Sequence, residues 1–243
     1  MFYTVLKLCK NNYKQLFPIF LFDLLFVIAL YSTKIFFELL KPSSIFSVII
    51  IQLIYLLLFI FIYSLFKYSI LHFIANITGK NEFKFRRVVN FYYLNLILVI
   101  VSAAIFYIIE LIYSFLIRPE SGQIIALFIF VIYLVLLYVF VNISHSFFIL
   151  GNGLKQTLKK SFVVVRMFKA YAGTLLIPVL IMFVYYLTYT LITFIVRFLI
   201  KNPSNSFLSN YFGFFMIVTG IISYIIILSN RLYFYQIVKK QLK

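Results

Sequence analysis

Six long apolar runs constrain this chain more than any other feature of its sequence. They cover about Phe17–Leu39, Ile45–Phe66, Tyr92–Ile117, Ile124–Val141, Tyr171–Phe194 and Tyr211–Leu228. A helix needs about 20 apolar residues to cross a hydrocarbon layer of roughly 30 Å, and each run meets or approaches that length. Transmembrane strands would be about half as long and would alternate apolar with polar residues, which these runs do not. With 65% hydrophobic and 11% charged residues, a chain of 243 residues has too little polar surface to cover itself in water. The expected fold is all-α: a polytopic membrane bundle of six transmembrane helices forming one integral membrane domain over residues 1–243. The first run follows Lys7, Lys10 and Lys14, as a signal peptide would. It is too long for one and lacks a small-residue cleavage site, so an uncleaved span is expected.

Breakers and basic residues set the topology. Lys41-Pro42-Ser43-Ser44, Arg118-Pro119-Glu120-Ser121-Gly122 and Lys201-Asn202-Pro203-Ser204-Asn205 are short Pro-containing turns joining spans 1–2, 3–4 and 5–6. The other two connections open with Gly79-Lys80-Asn81 and Gly151-Asn152-Gly153. Of the 22 Lys and Arg residues, only Lys34, Lys41, Arg118, Arg197 and Lys201 fall on the side of the Pro turns. The rest fall on the side of both termini and the Gly-initiated connections. The positive-inside rule then places both termini in the cytoplasm, with the cell membrane as the expected location. This demands an even number of spans. The same distribution accounts for the net charge of +17, which reads as attraction to anionic lipid headgroups rather than to nucleic acid. The lone cysteine, Cys9, excludes an internal disulfide and any Cys-based metal set. It reads as a small apolar residue rather than an acylation site.

The cytoplasmic connections are amphipathic at helical spacing. Phe2, Leu6, Cys9, Tyr13 and Leu16 oppose Lys7, Lys10, Asn11 and Lys14. Leu154, Leu158, Phe162, Val165 and Phe168 oppose Lys155, Lys159, Arg166 and Lys169. A shorter set, Phe85, Val88, Val89 and Tyr92, opposes Arg86, Arg87 and Asn90. Such segments are expected to lie in the membrane interface. Lys7, Lys10, Lys14, Arg86, Arg87, Lys155, Lys159, Lys160 and Arg166 are then the candidate headgroup contacts. The chain thus reads as three hairpin units, about 1–78, 79–150 and 151–243. Each is an interfacial helix, a span, a Pro turn and a second span, and all share one orientation, as in a parallel threefold pseudo-repeat. Pro18 and Pro178 open the first and fifth spans, and His72 and His145 stand before the two Gly connections. This pattern of basic lead-in, early Pro and Gly-initiated cytoplasmic helices resembles a group of six-helix membrane proteins. The group includes the membrane domain found beside some glycerophosphodiester phosphodiesterases. The resemblance implies the six-helix fold; it carries over neither the phosphodiesterase activity nor any functional residue.

Ionisable residues inside spans are the default functional candidates. Here they are Asp23, Glu110, Lys34 and Lys67. Lys34 and Glu38 are spaced to pair along one helix. Glu110 has Lys34 or Arg197 in prospect, and Asp23 has Lys67, whose stem can reach from the end of span 2. They serve either as a proton or ion relay or as ion pairs that fix helix packing. His72 and His145 lack a third ligand and make a poor metal site, so no metal or cofactor is expected. Asn76-Ile77-Thr78 and Asn142-Ile143-Ser144 fit the glycosylation pattern but fall on the cytoplasmic side. In span 5, Tyr185, Tyr186, Thr188, Tyr189, Thr190 and Thr193 read as packing hydroxyls before pathway lining, and Gly213 and Gly220 predict a close helix contact. No hydrolase, nucleotide or metalloprotease motif is present. The expectation is a non-catalytic membrane module: a scaffold, lipid-interacting or accessory protein. The alternatives are a small-solute or ion transporter using Asp23, Glu110 and Gln52, and an enzyme acting on lipid.

Overall fold

The computed structural model describes residues 12–40, 42, 44–78, 83–116, 119–200 and 204–241. These form seven helices: α1 (Tyr13–Glu38), α2 (Ile45–Thr78), α3 (Phe85–Leu116), α4 (Pro119–Ile149), α5 (Leu154–Val165), α6 (Phe168–Leu199) and α7 (Asn205–Gln241). All but α5 are long and apolar enough to cross a membrane. No strand occurs among the described residues.

Four helices outrun the apolar runs by seven residues or more, always at the same end of the bundle. α2 continues to Thr78 rather than stopping at Phe66, and α3 begins at Phe85 rather than Tyr92. α4 continues to Ile149 rather than Val141, and α7 to Gln241 rather than Leu228. With 31 to 37 residues each, they are roughly 46–56 Å long at 1.5 Å per residue. That exceeds a hydrocarbon layer of roughly 30 Å by several turns.

The extra turns hold the core. Tyr68, Ile70, Leu71 and Ile74 of α2 pack with Val88, Phe91 and Leu94 of α3, Ile143, Phe147 and Phe148 of α4, and Leu232, Phe234 and Val238 of α7. Here apolar residues recur at helical spacing between polar ones, so each helix buries one face only. At this joined end α2, α4 and α7, the second helices of the three hairpins, pack on one another, with α1, α3 and α6 outside them.

Toward the other end the described residues of the helices stay together only as pairs. Phe37 meets Tyr55 across α1/α2 with ring centroids 5.0 Å apart. The Tyr133 hydroxyl donates to the Ser102 carbonyl across α4/α3 at 2.6 Å. Across α6/α7, the Tyr185 hydroxyl donates to the Phe215 carbonyl at 3.1 Å, and the Thr193 and Tyr211 hydroxyls meet at 2.7 Å. The span-5 hydroxyls Tyr185 and Thr193 therefore act as packing contacts. Thr188 and Thr190 bond back to the carbonyls of Val184 and Tyr186 in their own helix. Around these contacts lies open apolar surface such as Leu127, Phe128, Phe183, Phe194, Phe214 and Met216. The shape is three hairpin legs fastened at one end.

Glycine positions depart from expectation. Gly213 and Gly220 face open space, where an added Cβ would meet nothing within 4 Å. The close approach is at Gly173 of α6, where a Cβ would lie 2.9 Å from the Tyr233 hydroxyl of α7. Gly151 has φ +104°, a conformation only glycine adopts freely. It closes α4: the Gly151 amide bonds the Phe148 carbonyl and the Asn152 amide bonds the Phe147 carbonyl, at 3.1 and 3.3 Å. This turn folds α5 back onto α4.

The three lead-in segments differ from one another. The first, with Phe2, Leu6, Lys7, Cys9 and Lys10, lies outside the described residues, as do Lys41, Ser43, Gly79, Lys80, Asn81, Arg118, Lys201, Asn202 and Pro203. The middle one is no separate helix but the first turns of α3. The third is α5, and it docks on protein. Thr157, Ser161 and Val164 are buried against the bundle, one position off the apolar stripe, while Phe162 of that stripe is exposed. Small side chains at the seam let the two backbones approach closely.

Candidate functional site

Where the legs converge, charged and polar side chains gather in a neck between the apolar legs and the packed joined end. α1 brings Asp23, placed by neighbouring turns whose Ile19 is fully buried. α2 brings Tyr63 and Ser64, each about one helical turn before Lys67. α4 brings Tyr138, Asn142 and His145 on successive turns, and α7 brings Tyr224, Asn230 and Arg231.

Asp23 is paired with Arg231. The guanidinium donates to Asp23 Oδ2 at 2.6 Å, both side chains being 15% exposed, and the Tyr224 hydroxyl donates to the same oxygen at 3.1 Å. Residues 201 and 208 positions apart in sequence thus close the ring of legs between α1 and α7. The partner foreseen for Asp23, Lys67, does not take that place. It lines the same small cleft with Asp23 and Arg231, together with Tyr63, Phe66 and Ile70. The reason is helix length. α7 continues as helix past Leu228, so Arg231 belongs to the bundle and not to a tail. Its planar fork suits a carboxylate better than an ammonium does.

Behind this pair runs a chain of neutral hydrogen bonds. His145 Nε2 donates to Asn95 Oδ1 at 2.7 Å, Asn95 Nδ2 to Ser64 Oγ at 2.8 Å, and Ser64 Oγ to the Ile60 carbonyl at 2.6 Å. His145 is fully buried, and its Nδ1 has no hydrogen-bond partner among the described residues. Asn230 Nδ2 donates to the Tyr138 hydroxyl at 3.2 Å, joining α7 to α4. His72 is apart from this chain: it stacks with Tyr68 and meets Phe83 edge-on, and its Nε2 lies 3.1 Å from Asn76 Nδ2. The two histidines do not share a site, and no cluster of three metal-ligating side chains occurs among the described residues.

A cavity of about 430 Å³ opens between the three central helices at this level. Its polar lining is Lys67, Arg231, Asn142, Tyr63 and Tyr138. Its rim includes the exposed Leu134 and Ile227. An apolar groove of about 280 Å³, lined by residues such as Leu98, Ile105, Leu136 and Phe140, runs along the flank of α3, α4 and α5. Leu137 lines both spaces.

The remaining candidates lie elsewhere. Lys34 pairs with Glu38 at 3.5 Å, as their spacing foretold, and both are exposed. Glu110 is exposed beside a groove of about 550 Å³ between α3 and α4, and makes no ion pair with Lys34 or Arg197. Gln52 is exposed. Of the basic residues, Lys14, Arg86, Lys155, Lys159 and Arg166 are exposed. Arg87 and Lys160 have structural partners instead. Arg87 donates to the Phe148 carbonyl at 2.7 Å, capping α4, and Lys160 donates to Asn152 Oδ1 at 2.8 Å, holding the α4–α5 turn.

Six membrane-length apolar helices around a polar neck define a multi-pass integral membrane protein of all-α class. Set against family models, curated proteins and solved structures, the chain matches none.

Proposed function

We propose that this chain is a non-catalytic membrane module that organises or engages anionic lipid, with both termini in the cytoplasm. The observation that carries the proposal is where the charges lie. Lys14, Lys84, Arg86, Lys155, Lys159, Arg166, Lys169, Lys239 and Lys240 all lie at the joined end of the bundle. The described free-end bases are Lys34, held by Glu38, and Arg197. A basic end of this kind faces the cytoplasm and is drawn to anionic headgroups, each cation near the surface contributing about 1 kcal/mol. The legs have apolar surface on all sides and few polar groups, which suits contact with acyl chains. The resemblance to six-helix membrane domains found beside glycerophosphodiester phosphodiesterases agrees with a lipid setting.

A second reading, a small-solute or ion transporter, draws on one observation: the cavity at the neck touches both cations and neighbours the Asp23 cleft. Flux through liposomes holding the purified chain separates the two. On the proposed reading, wild type, Asp23→Asn and Glu110→Gln all carry no ion or proton flux above protein-free vesicles. Removing charge at Lys155, Lys159 and Arg166 together lowers the preference for anionic over zwitterionic lipid. Flux in the wild type that disappears in Asp23→Asn replaces the proposal with transport.

A further inference from the structure

The charges of the neck do not balance. Asp23 is the described acid of the cluster, and its Oδ2 is taken by Arg231 and Tyr224. Lys67 lines the cleft beside that pair but makes no hydrogen bond or ion pair with a described residue. A half-buried ammonium at this depth costs several kcal/mol unless something negative meets it. The other described acids are elsewhere: Glu38 is held by Lys34, Glu110 lies toward the free end of α3, and Glu120 stands at the start of α4, at the free end as well.

The space beside Lys67 lies between the three central helices. α2 presents Tyr63 and Lys67 to it and α7 presents Ile227 and Arg231, each pair one turn apart, while α4 presents Leu134, Leu137, Tyr138, Val141 and Asn142. Two cations, one amide and two phenols therefore surround a volume of about 430 Å³. This set favours an anion with several acceptor oxygens.

Depth narrows the source. From Ile45 to Lys67, α2 is roughly 33 Å long; from Ile125 to Asn142, α4 is roughly 26 Å; from Ser206 to Arg231, α7 is roughly 38 Å. These bracket a hydrocarbon thickness of roughly 30 Å. With the free end at one boundary of the hydrocarbon, the cavity falls at the opposite boundary, where headgroup phosphates sit. The apolar groove that shares Leu137 with the cavity offers a path for an acyl chain from that point.

We propose that the neck cavity is a specific site for one phosphate-bearing anion, held between Lys67 and Arg231 with Asn142, Tyr63 and Tyr138 as hydrogen-bond partners, and supplied by the headgroup of an anionic phospholipid. The site rests on the reading above that the joined end meets anionic headgroups, and it places one of them inside the protein. A free phosphate would present the same chemistry without the acyl chains.

The test uses the full chain in nanodiscs of phosphatidylcholine with phosphatidylglycerol, followed by mild delipidation and native mass spectrometry. Wild type is expected to keep one phosphatidylglycerol per chain. Lys67→Gln is expected to weaken that retention by about tenfold or more, the effect of losing one charge-assisted contact. Lys67→Arg, which keeps the charge, retains the lipid and covers the case in which Lys67→Gln does not fold. Lys155→Gln with Lys159→Gln, both on the exposed face of α5, leaves the single retained lipid in place. Retention unchanged in Lys67→Gln overturns the site; if lipid preference then falls with the α5 variant, the surface reading stands without it. If neither variant changes lipid preference, both fail. Displacement of no lipid but a thermal shift with inorganic phosphate, lost in Lys67→Gln, overturns the bilayer as the source.

Discussion

Asp23→Asn isolates the ion pair that closes the ring of legs. The substitution keeps the shape of the side chain and removes its charge, leaving the Arg231 guanidinium without a counter-ion. Removing one member of a buried pair costs about 3–5 kcal/mol. Both side chains retain 15% exposure, and an asparagine carbonyl still accepts from Arg231 at the present 2.6 Å contact. These features bring the expectation down to about 2–3 kcal/mol. For a chain of this size each kcal/mol moves the midpoint by about 2–4 °C, so a fall of roughly 4–12 °C is expected. The chain has no Trp, so the melt is best followed by far-ultraviolet circular dichroism and by the fraction surviving size exclusion after heating. Arg231→Gln alone leaves Asp23 with Lys67 as the cation of its cleft and costs a similar amount or less. The double variant replaces the pair with two amides and should lose less than the sum of the singles, by about 1–3 kcal/mol. A midpoint for Asp23→Asn within about 1 °C of wild type, or a strictly additive double variant, would refute the assignment of this pair as the α1–α7 fastening.

Three further outcomes follow from the same packing. Gly173→Val should destabilise by about 1–3 kcal/mol in the same melt, because even its Cβ would press on the Tyr233 hydroxyl at 2.9 Å. Gly213→Ala and Gly220→Ala, facing open space, should be neutral or slightly stabilising; the reverse order would show that the close helix contact is misplaced. Asn95→Ala strips both the acceptor of His145 Nε2 and the donor to Ser64 Oγ, leaving buried polar atoms unmet. It should cost about 2–4 kcal/mol, and a loss below about 1 kcal/mol would mean the chain of bonds is not holding the neck.

The membrane architecture was legible because all-round apolar runs have one stable solvent. The ends of the helices were not. Between Lys67 and Thr78, and between Ser229 and Gln241, charged, amide and aromatic residues alternate with aliphatic ones, and the average hydropathy falls. Yet Tyr68, Leu71 and Ala75 on α2, and Phe234, Ile237 and Val238 on α7, repeat at helical spacing and are buried. A helix leaving lipid keeps its period while losing its uniform apolarity, so a reading of spans by apolarity stops too soon. The same effect hid the partner of Asp23. A sixth span that ends at Leu228 leaves Arg231 outside the bundle, and Lys67 is then the cation in reach. Asn95 and Ser64 carry no charge and drew no notice, although an amide in the middle of an otherwise apolar helix is itself a sign of a hydrogen-bonded interior. On α5, Leu154, Leu158 and Val165 of the apolar stripe pack against the core, but the most buried line lies one position away, because the spacing of large apolar residues says nothing of where Thr157 and Ser161 allow close approach.

The pairing of the legs has a mechanical consequence. Each hairpin is clamped at one end and bonded, among its described residues, only within itself beyond the neck, so it behaves as a cantilever. In a bilayer, hydrocarbon tails rather than protein would fill the gaps between the three cantilevers and carry the load there. Chain length and lateral pressure of the surrounding lipid therefore act on the tips with a long moment arm. The fulcrum is the neck, where the Asp23–Arg231 pair and the Lys67 cavity lie, so a detergent micelle and a bilayer exert different torques on the same charges.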